Sequence, residues 1–180
     1  MEPVYSIKSV RAIIGLGNPG SKYAAQRHNI GFRVVDALVD QLGAMWHTSG
    51  NMQYATVRPA GVEHDIYVIK PQTFMNSSGQ VLPWLTKKGI KSDQILVVHD
   101  ELEKKFGQLV LKLGGSHKGH NGLKSIIAGI GADFWRLKVG IDRPDDRDAV
   151  PDYVLTNFPA VQEGEIPPLI ERAVQVVCRT

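Results

Sequence analysis

His28, in the run Arg27-His28-Asn29, and Asp100, which closes the run Ile95-Leu96-Val97-Val98-His99-Asp100, are the two residues of this chain best suited to moving a proton. A carboxylate bonded to the Nδ1–H of an imidazole fixes its tautomer and leaves Nε2 free to take a proton from water. The pairing requires the loop carrying His28 to lie beside the end of the Asp100 strand, and strand carboxyl ends are where sites form in open α/β sheets. Each residue also has a plain structural use. Asn29 is a fair N-cap for the helix that follows, Asp100 can cap a turn, and a lone histidine is often a satisfied structural group. His99 points to the opposite face of its strand and reads as structural. Three asparagines, Asn18, Asn76 and Asn121, stand at strand-to-helix junctions. Singly they are N-caps; together they outline an uncharged polar pocket for a substrate containing an amide or ester.

Two tempting patterns carry less. Gly15-Leu16-Gly17-Asn18-Pro19-Gly20 spells the dinucleotide fingerprint after a strand, but Pro19 removes a backbone N–H that would face phosphate. Ser21-Lys22-Tyr23 opens no amphipathic helix, and no second strand ends in an acid at the required spacing. What the loop does is project Asn18 from a strand end through backbone that a ligand can approach closely. His117 and His120, with His28 and Asp100, suggest a zinc site, yet they sit in a glycine-rich loop with no third fixed ligand nearby. The expectation is no metal and no cofactor.

The elements that must position these groups read as an α/β fold. Val10 to Ile14 is a first, central strand, and Tyr54 to Arg58 with Asp65 to Lys70 form a hairpin about Ala60-Gly61. Ile95 to Val98 is a strand covered on both faces, Gln108 to Leu113 a more exposed one, and Trp135 to Ile141 another. Helices are expected over Ile30 to Leu42, stopped by Gly43; over Ser77 to Lys88, kinked or started late by Pro83; and over Leu123 to Ile130 and Ile170 to Val177. Asp145 to Asp148 reads as a loop. The 180 residues, 43% hydrophobic and 22% charged, suit one globular domain over residues 1–180: a three-layer sandwich of one mixed, mostly parallel sheet with helices on both faces.

No apolar run approaches the ~18–20 residues of a membrane span. The single cysteine, Cys178, excludes an internal disulfide and makes a reducing cytoplasm the natural setting. The net charge of +3 is unevenly spread. Lys87 to Lys138 holds ten Lys or Arg against five acids, whereas Asp142 to Glu171 holds eight acids against two arginines. A basic middle suits a polyanionic partner, unless the two segments are simply solvated faces of opposite sign.

Taken together, several collinear segments closely resemble bacterial-type peptidyl-tRNA hydrolase. They are Gly15 to Gly20 with Tyr23 and Arg27 to Gly31; Lys70 to Gly79; His99 to Leu102; and Lys112 to Lys124. The resemblance implies a monomeric α/β sandwich that hydrolyses, without metal, the ester joining a peptide to the 3′-terminal ribose of tRNA, recycling tRNA after drop-off from ribosomes. It implies that His28 activates water, Asp100 orients it and Asn18 helps hold the ester. Asn76 and Asn121 would grip the peptide main chain, Met75 would pack the channel, and Tyr23 and His120 would line the cleft. Lys112 and Lys138 would contact tRNA phosphate, Lys138 standing where the family often has arginine. Gln26 replaces a usual threonine, Asp142 a common glycine, and Glu103-Lys104-Lys105-Phe106 a proline-containing turn. The family's C-terminal tail, which helps contact tRNA, reads as short here. Two other readings stand beside this one: a non-catalytic RNA-binding relative, since plant organellar splicing factors share the fold, and a dinucleotide-dependent oxidoreductase resting on the glycine pattern alone.

Overall fold

In the computed structural model, which describes residues Met1–Thr180, the short strand β1 (Ala12–Gly15) is buried throughout and lies at the centre of a seven-stranded sheet. The other strands are β2 (His47–Ser49), β3 (Met52–Val57), β4 (Ile66–Pro71), β5 (Ile95–Glu101), β6 (Leu109–Leu113) and β7 (Trp135–Gly140). Their order is β2-β3-β4-β1-β5-β7-β6. β4, β1, β5 and β7 run parallel, while β2, β3 and β6 pair antiparallel at the two edges. The carboxyl ends of the four parallel strands therefore lie at one end of the sheet.

Alternation along the strands divides the core in two. Ile13, Leu96, Val98 and Leu137 face α1 (Ile30–Gln41) and α6 (Ile166–Val177), meeting Val34, Leu38, Leu169 and Ala173. Ala12, Ile14, Ile69 and Val97 face α2 (Leu82–Lys87) and α3 (Asn121–Ile130), meeting Leu82, Leu85, Leu123 and Ile126. Two short helices, α4 (Val150–Val154) and α5 (Ala160–Glu163), carry the chain from β7 to α6. No helix is long and apolar enough to cross a membrane.

The sheet and its two helical layers match expectation, and the differences are local. β5 runs on to Glu101, because His99, Asp100 and Glu101 pair with Lys138, Val139 and Gly140 of β7. α6 begins at Ile166 rather than Ile170, since Pro167 and Pro168 occupy the first positions, where no backbone N–H is needed. Pro83 does the same for α2, giving the late start. α3 begins at Asn121, two residues early, because the side chain of His120 caps it. β2, three residues of polar sequence, carries no apolar pattern and was invisible to periodicity. The acidic loop turns into α4, a helix too short to show a period.

One close approach decides where the site loops lie. A Cβ on Gly31, in the first turn of α1, would fall 2.7 Å from both the nitrogen and the oxygen of Leu16 and strike the carbonyl of Val98. A Cβ on Gly15 would lie 2.6 Å from the Gly31 carbonyl and from a methyl of Val35. Backbone thus rests on backbone where α1 meets the ends of β1 and β5, and His28 is delivered to the end of β5. Gly31→Ala should therefore lower unfolding free energy by about 1–3 kcal/mol through overpacking, read from urea denaturation midpoints. An unchanged midpoint would mean that α1 can back away at no cost.

Candidate active site

The loop after β1 is held from two sides. The buried side chain of Asn29 exchanges a pair of bonds with the main chain of Asn18: Oδ1 accepts its N–H at 3.0 Å and Nδ2 donates to its carbonyl at 2.8 Å. Asn29 occupies the N-cap position of α1 but makes no side-chain cap bond, because its amide is spent on this loop. The side chain of Asn18 in turn accepts the N–H of Met75 at 2.7 Å. With Oδ1 so used, the Nδ2 hydrogens of Asn18 are its free donors. Met75 is buried, its carbonyl accepts from Ser78 Oγ at 2.7 Å, and its sulfur crowds Gly122 in α3.

His28 lies in a single-turn 3-10 helix, Arg27–Asn29, that leads into α1. Its Nδ1 sits 2.9 and 3.0 Å from the two oxygens of Asp100, at the end of β5. The Asp100 side chain is only 2% exposed and that of His28 10%. Asp100 takes a second imidazole as well: His120 Nε2 is 2.8 Å from Oδ1. The other nitrogen of His120 accepts the main-chain N–H groups of Gly122 and Leu123, so the proton of His120 resides on Nε2 and points at Asp100. Both nitrogens of His120 are therefore engaged, whereas His28 keeps Nε2 without a partner in the chain, on the cavity side.

Burial disfavours the charged form of Asp100, but the two imidazoles outweigh it and hold its carboxyl well below the usual carboxylate range. Burial likewise disfavours imidazolium at His28, yet the attraction of Asp100 and the bond to it win, and its pKa is raised above 6.5. His99, on the other face of β5, donates its Nδ1–H to the Asp100 carbonyl at 2.8 Å and packs edge-on against His120. Burial and then the neighbouring His120 push its pKa down to about 3, so it stays neutral.

His28, Asp100 and His120 also place three potential metal-ligand atoms within 4.8 Å of one another. Fit to a metal is poor as the network stands. The ring nitrogens nearest the carboxylate carry the protons that Asp100 binds, and the backbone bonds to His120 Nδ1 keep its proton on Nε2.

A cavity of about 500 Å³ opens beside this group. Lys118, Arg136, Lys138, Arg143 and Arg147 line it, with Glu101 and Glu103, and Val150, Pro151 and Val154 of α4 form an apolar wall. Arg136 is fully buried and donates to the carbonyls of Gly115, Ser116 and Ala132, which shapes the glycine loop that returns His120 to Asp100. Lys138 is 7% exposed, with Nζ 3.5 Å from Glu101. Glu103 reaches Lys118 at 2.7 Å across the cavity mouth. Asp142 tolerates a φ of +64° while its carboxylate accepts the N–H of Phe106, so an aspartate serves where the resemblance led one to expect glycine.

The family model described as peptidyl-tRNA hydrolase matches residues 12–180. The chain belongs to the peptidyl-tRNA hydrolase family. The peptidyl-tRNA hydrolase of Mycobacterium bovis is 41% identical over 165 residues, covering 89% of this chain and 85% of that protein. That of Mycolicibacterium vanbaalenii is 42% identical with the same coverage of each chain, 89% and 85%. The crystal structure of peptidyl-tRNA hydrolase from Acinetobacter baumannii superposes with a TM-score of 0.89 at 36% identity, over 97% of this chain and 89% of that one.

Of the residues anticipated from sequence, His28, Asp100, His120, Asn121 and Lys138 line this cavity, whereas Asn18, Tyr23, Met75 and Asn76 lie outside its lining, so the three asparagines do not form one pocket. Asn18 and Met75 are joined to each other by the loop bond above. Asn76 and Asn121 are exposed. Tyr23 lies edge-on to the exposed Phe74, ring centroids 6.3 Å apart. Lys112 is exposed on β6, across from Arg136 and outside the cavity lining. Sequence reasoning missed Asn29 as the anchor of Asn18 and His120 as the second donor to Asp100. The H-x-x-H spacing flagged His120, but nothing local shows which acceptor it reaches.

The electrostatics give a signed expectation. His28 should titrate above 6.5 by histidine NMR and, in Asp100→Asn, below the wild-type value, because burial then acts without the opposing anion. Equal midpoints in the two proteins would remove Asp100 as the controlling charge.

Proposed function

We propose that this chain hydrolyses the ester between a peptide and the 3′-terminal ribose of tRNA, with water activated by His28. The observation that carries the reading is the imidazole whose Nδ1–H is spent on a buried carboxylate while Nε2 faces a cation-lined cavity. Nε2 takes a proton from water as the oxygen attacks the acyl carbon. The imidazolium formed is stabilised by Asp100 and returns the proton to the departing ribose oxygen. Asn18, its Oδ1 fixed by Met75, presents Nδ2–H to the oxygen on which charge develops. His120, its ring 4.9 Å from that of His28, donates a second hydrogen bond to Asp100 and so fixes the carboxylate.

Around this centre, Asn76 and Asn121 offer exposed amides that bind peptide main chain common to all sequences, and Met75 with Tyr23 bounds the peptide's path. Lys112 and Lys138 meet phosphates of the tRNA; Lys138 does so as a point charge, and it must share itself with Glu101. The reading requires no metal and no cofactor. It takes one chain as the working unit and the cytoplasm, where tRNA is used, as the compartment.

Release of peptide from N-blocked aminoacyl-tRNA in metal-free buffer is the direct test. His28→Ala should lower kcat by about 10²–10⁴-fold while tRNA binding stays near wild type. Wild-type protein that bound tRNA but left the ester intact would make the chain a binder and not a hydrolase. Lys112→Ala should weaken the tRNA substrate and reduce the slope of log affinity against log salt by about 1, with less effect on a minimal peptidyl-adenosine. Equal losses on both substrates would take Lys112 out of the phosphate role.

A further inference from the structure

Arg27 precedes the base by one residue, yet its side chain points into protein and is 9% exposed. Nη1 donates to the carbonyl of Tyr153 at 3.1 Å, the hydroxyl oxygen of Thr156 at 2.9 Å and the carbonyl of Thr156 at 3.4 Å. Its main-chain N–H donates to the same Thr156 carbonyl at 3.0 Å. The guanidinium carbon lies 3.9 Å from the centre of the Tyr153 ring, within cation–π range, with Phe158 at 5.8 Å. Gln26 adds an antiparallel bridge to Asn157, and the Tyr153 hydroxyl donates to the Ile141 carbonyl just beyond β7.

All these contacts fall on the end of α4 and the turn after it. α4 has five residues, ends at the C-cap Leu155 and has no side-chain N-cap bond. A helix so short does not hold itself in place. Its inner residues, Val150, Pro151 and Val154, are nevertheless a wall of the cavity that His28 faces. Something outside the helix must set the gap between that wall and the base. The Tyr153–Ile141 bond ties α4 to the end of β7, and Arg27, joined covalently to His28, ties it to the base.

We propose that Arg27 is a positioning residue that clamps the α4 wall to the His28 segment and so sets the width of the cavity in which the tRNA end is bound. The role rests on the hydrolytic reading for its effect on substrate, but the clamp itself is a property of the fold. Lysine cannot replace it, because an ammonium lacks the plane that stacks on Tyr153 while donating to Tyr153 and Thr156.

Arg27→Lys tests this, with Thr156→Ser, which keeps the exposed hydroxyl that accepts from Arg27 and donates to the Asp152 and Tyr153 carbonyls, as the control. Thr156→Val, which removes that hydroxyl and all three bonds, is the milder variant should Arg27→Lys not fold. Amide hydrogen exchange over residues 150–157 should speed by about tenfold in Arg27→Lys, with α1 and β5 unchanged. KM for N-blocked aminoacyl-tRNA should rise by about tenfold with kcat within about threefold, since the wall binds and does not react. The acid midpoint of kcat/KM should stay at the wild-type value, because His28 and Asp100 keep their contact. Thr156→Val should shift exchange and KM the same way by about two- to threefold. Unchanged exchange over 150–157, equal acceleration throughout the chain, or loss of kcat at constant KM would each overturn the clamp. Wild-type protein inert toward the ester would overturn the hydrolytic reading instead, and the exchange comparison would still decide the clamp.

Discussion

A carboxylate almost wholly removed from water at the end of a parallel strand must find donors, and in this fold Asp100 finds two imidazole N–H groups from elements on opposite sides of the sheet. His28 comes from the turn before α1 and His120 from the cap of α3. One ionised group therefore ties the two helical layers together beside the cation-lined cavity. Without either partner the buried charge would be exposed to its full desolvation cost, which makes the arrangement self-consistent only as a set.

The same constraint assigns the histidines their separate parts. His120 is committed at both nitrogens, to Asp100 and to the first N–H groups of α3, so it behaves as a fixed dipole. His99 is driven neutral by burial and braces the carbonyl of Asp100. His28 combines a fixed donor with an Nε2 that no group of the chain bonds, and it lines the cavity; the equally unbonded Nε2 of His99 is sealed from solvent. Three histidines within one cluster thus differ in what their second nitrogen meets, a distinction made by position alone.

Around them the backbone does much of the positioning. Gly15 and Gly31 let α1 settle onto the ends of β1 and β5, Asn29 pins the Asn18 loop, and Arg136 draws the loop of Gly115 and Ser116 toward the sheet. The cavity that results is cationic on one side and apolar along α4, a division suited to a ligand with both charged and ring-like parts. Its charges are partly internal pairs, Lys138 with Glu101 and Lys118 with Glu103, so an incoming polyanion competes with the protein's own acids.

Local pattern sufficed for the central strands, the long helices and the two-faced sheet, since burial on both faces and a helical period leave marks within a few residues. The residue types were equally plain: an imidazole, a carboxylate closing a buried strand, and amides at loop ends. What the chain could not disclose locally was partnership. Asn29 has the look of an N-cap and instead holds Asn18; His120 resembles a loop histidine and instead shares Asp100; Arg27 precedes His28 and bonds a helix more than a hundred residues away. Such choices depend on which atoms the packed sheet brings within about 3 Å, because a hydrogen bond is decided by distance and direction and not by neighbourhood in sequence.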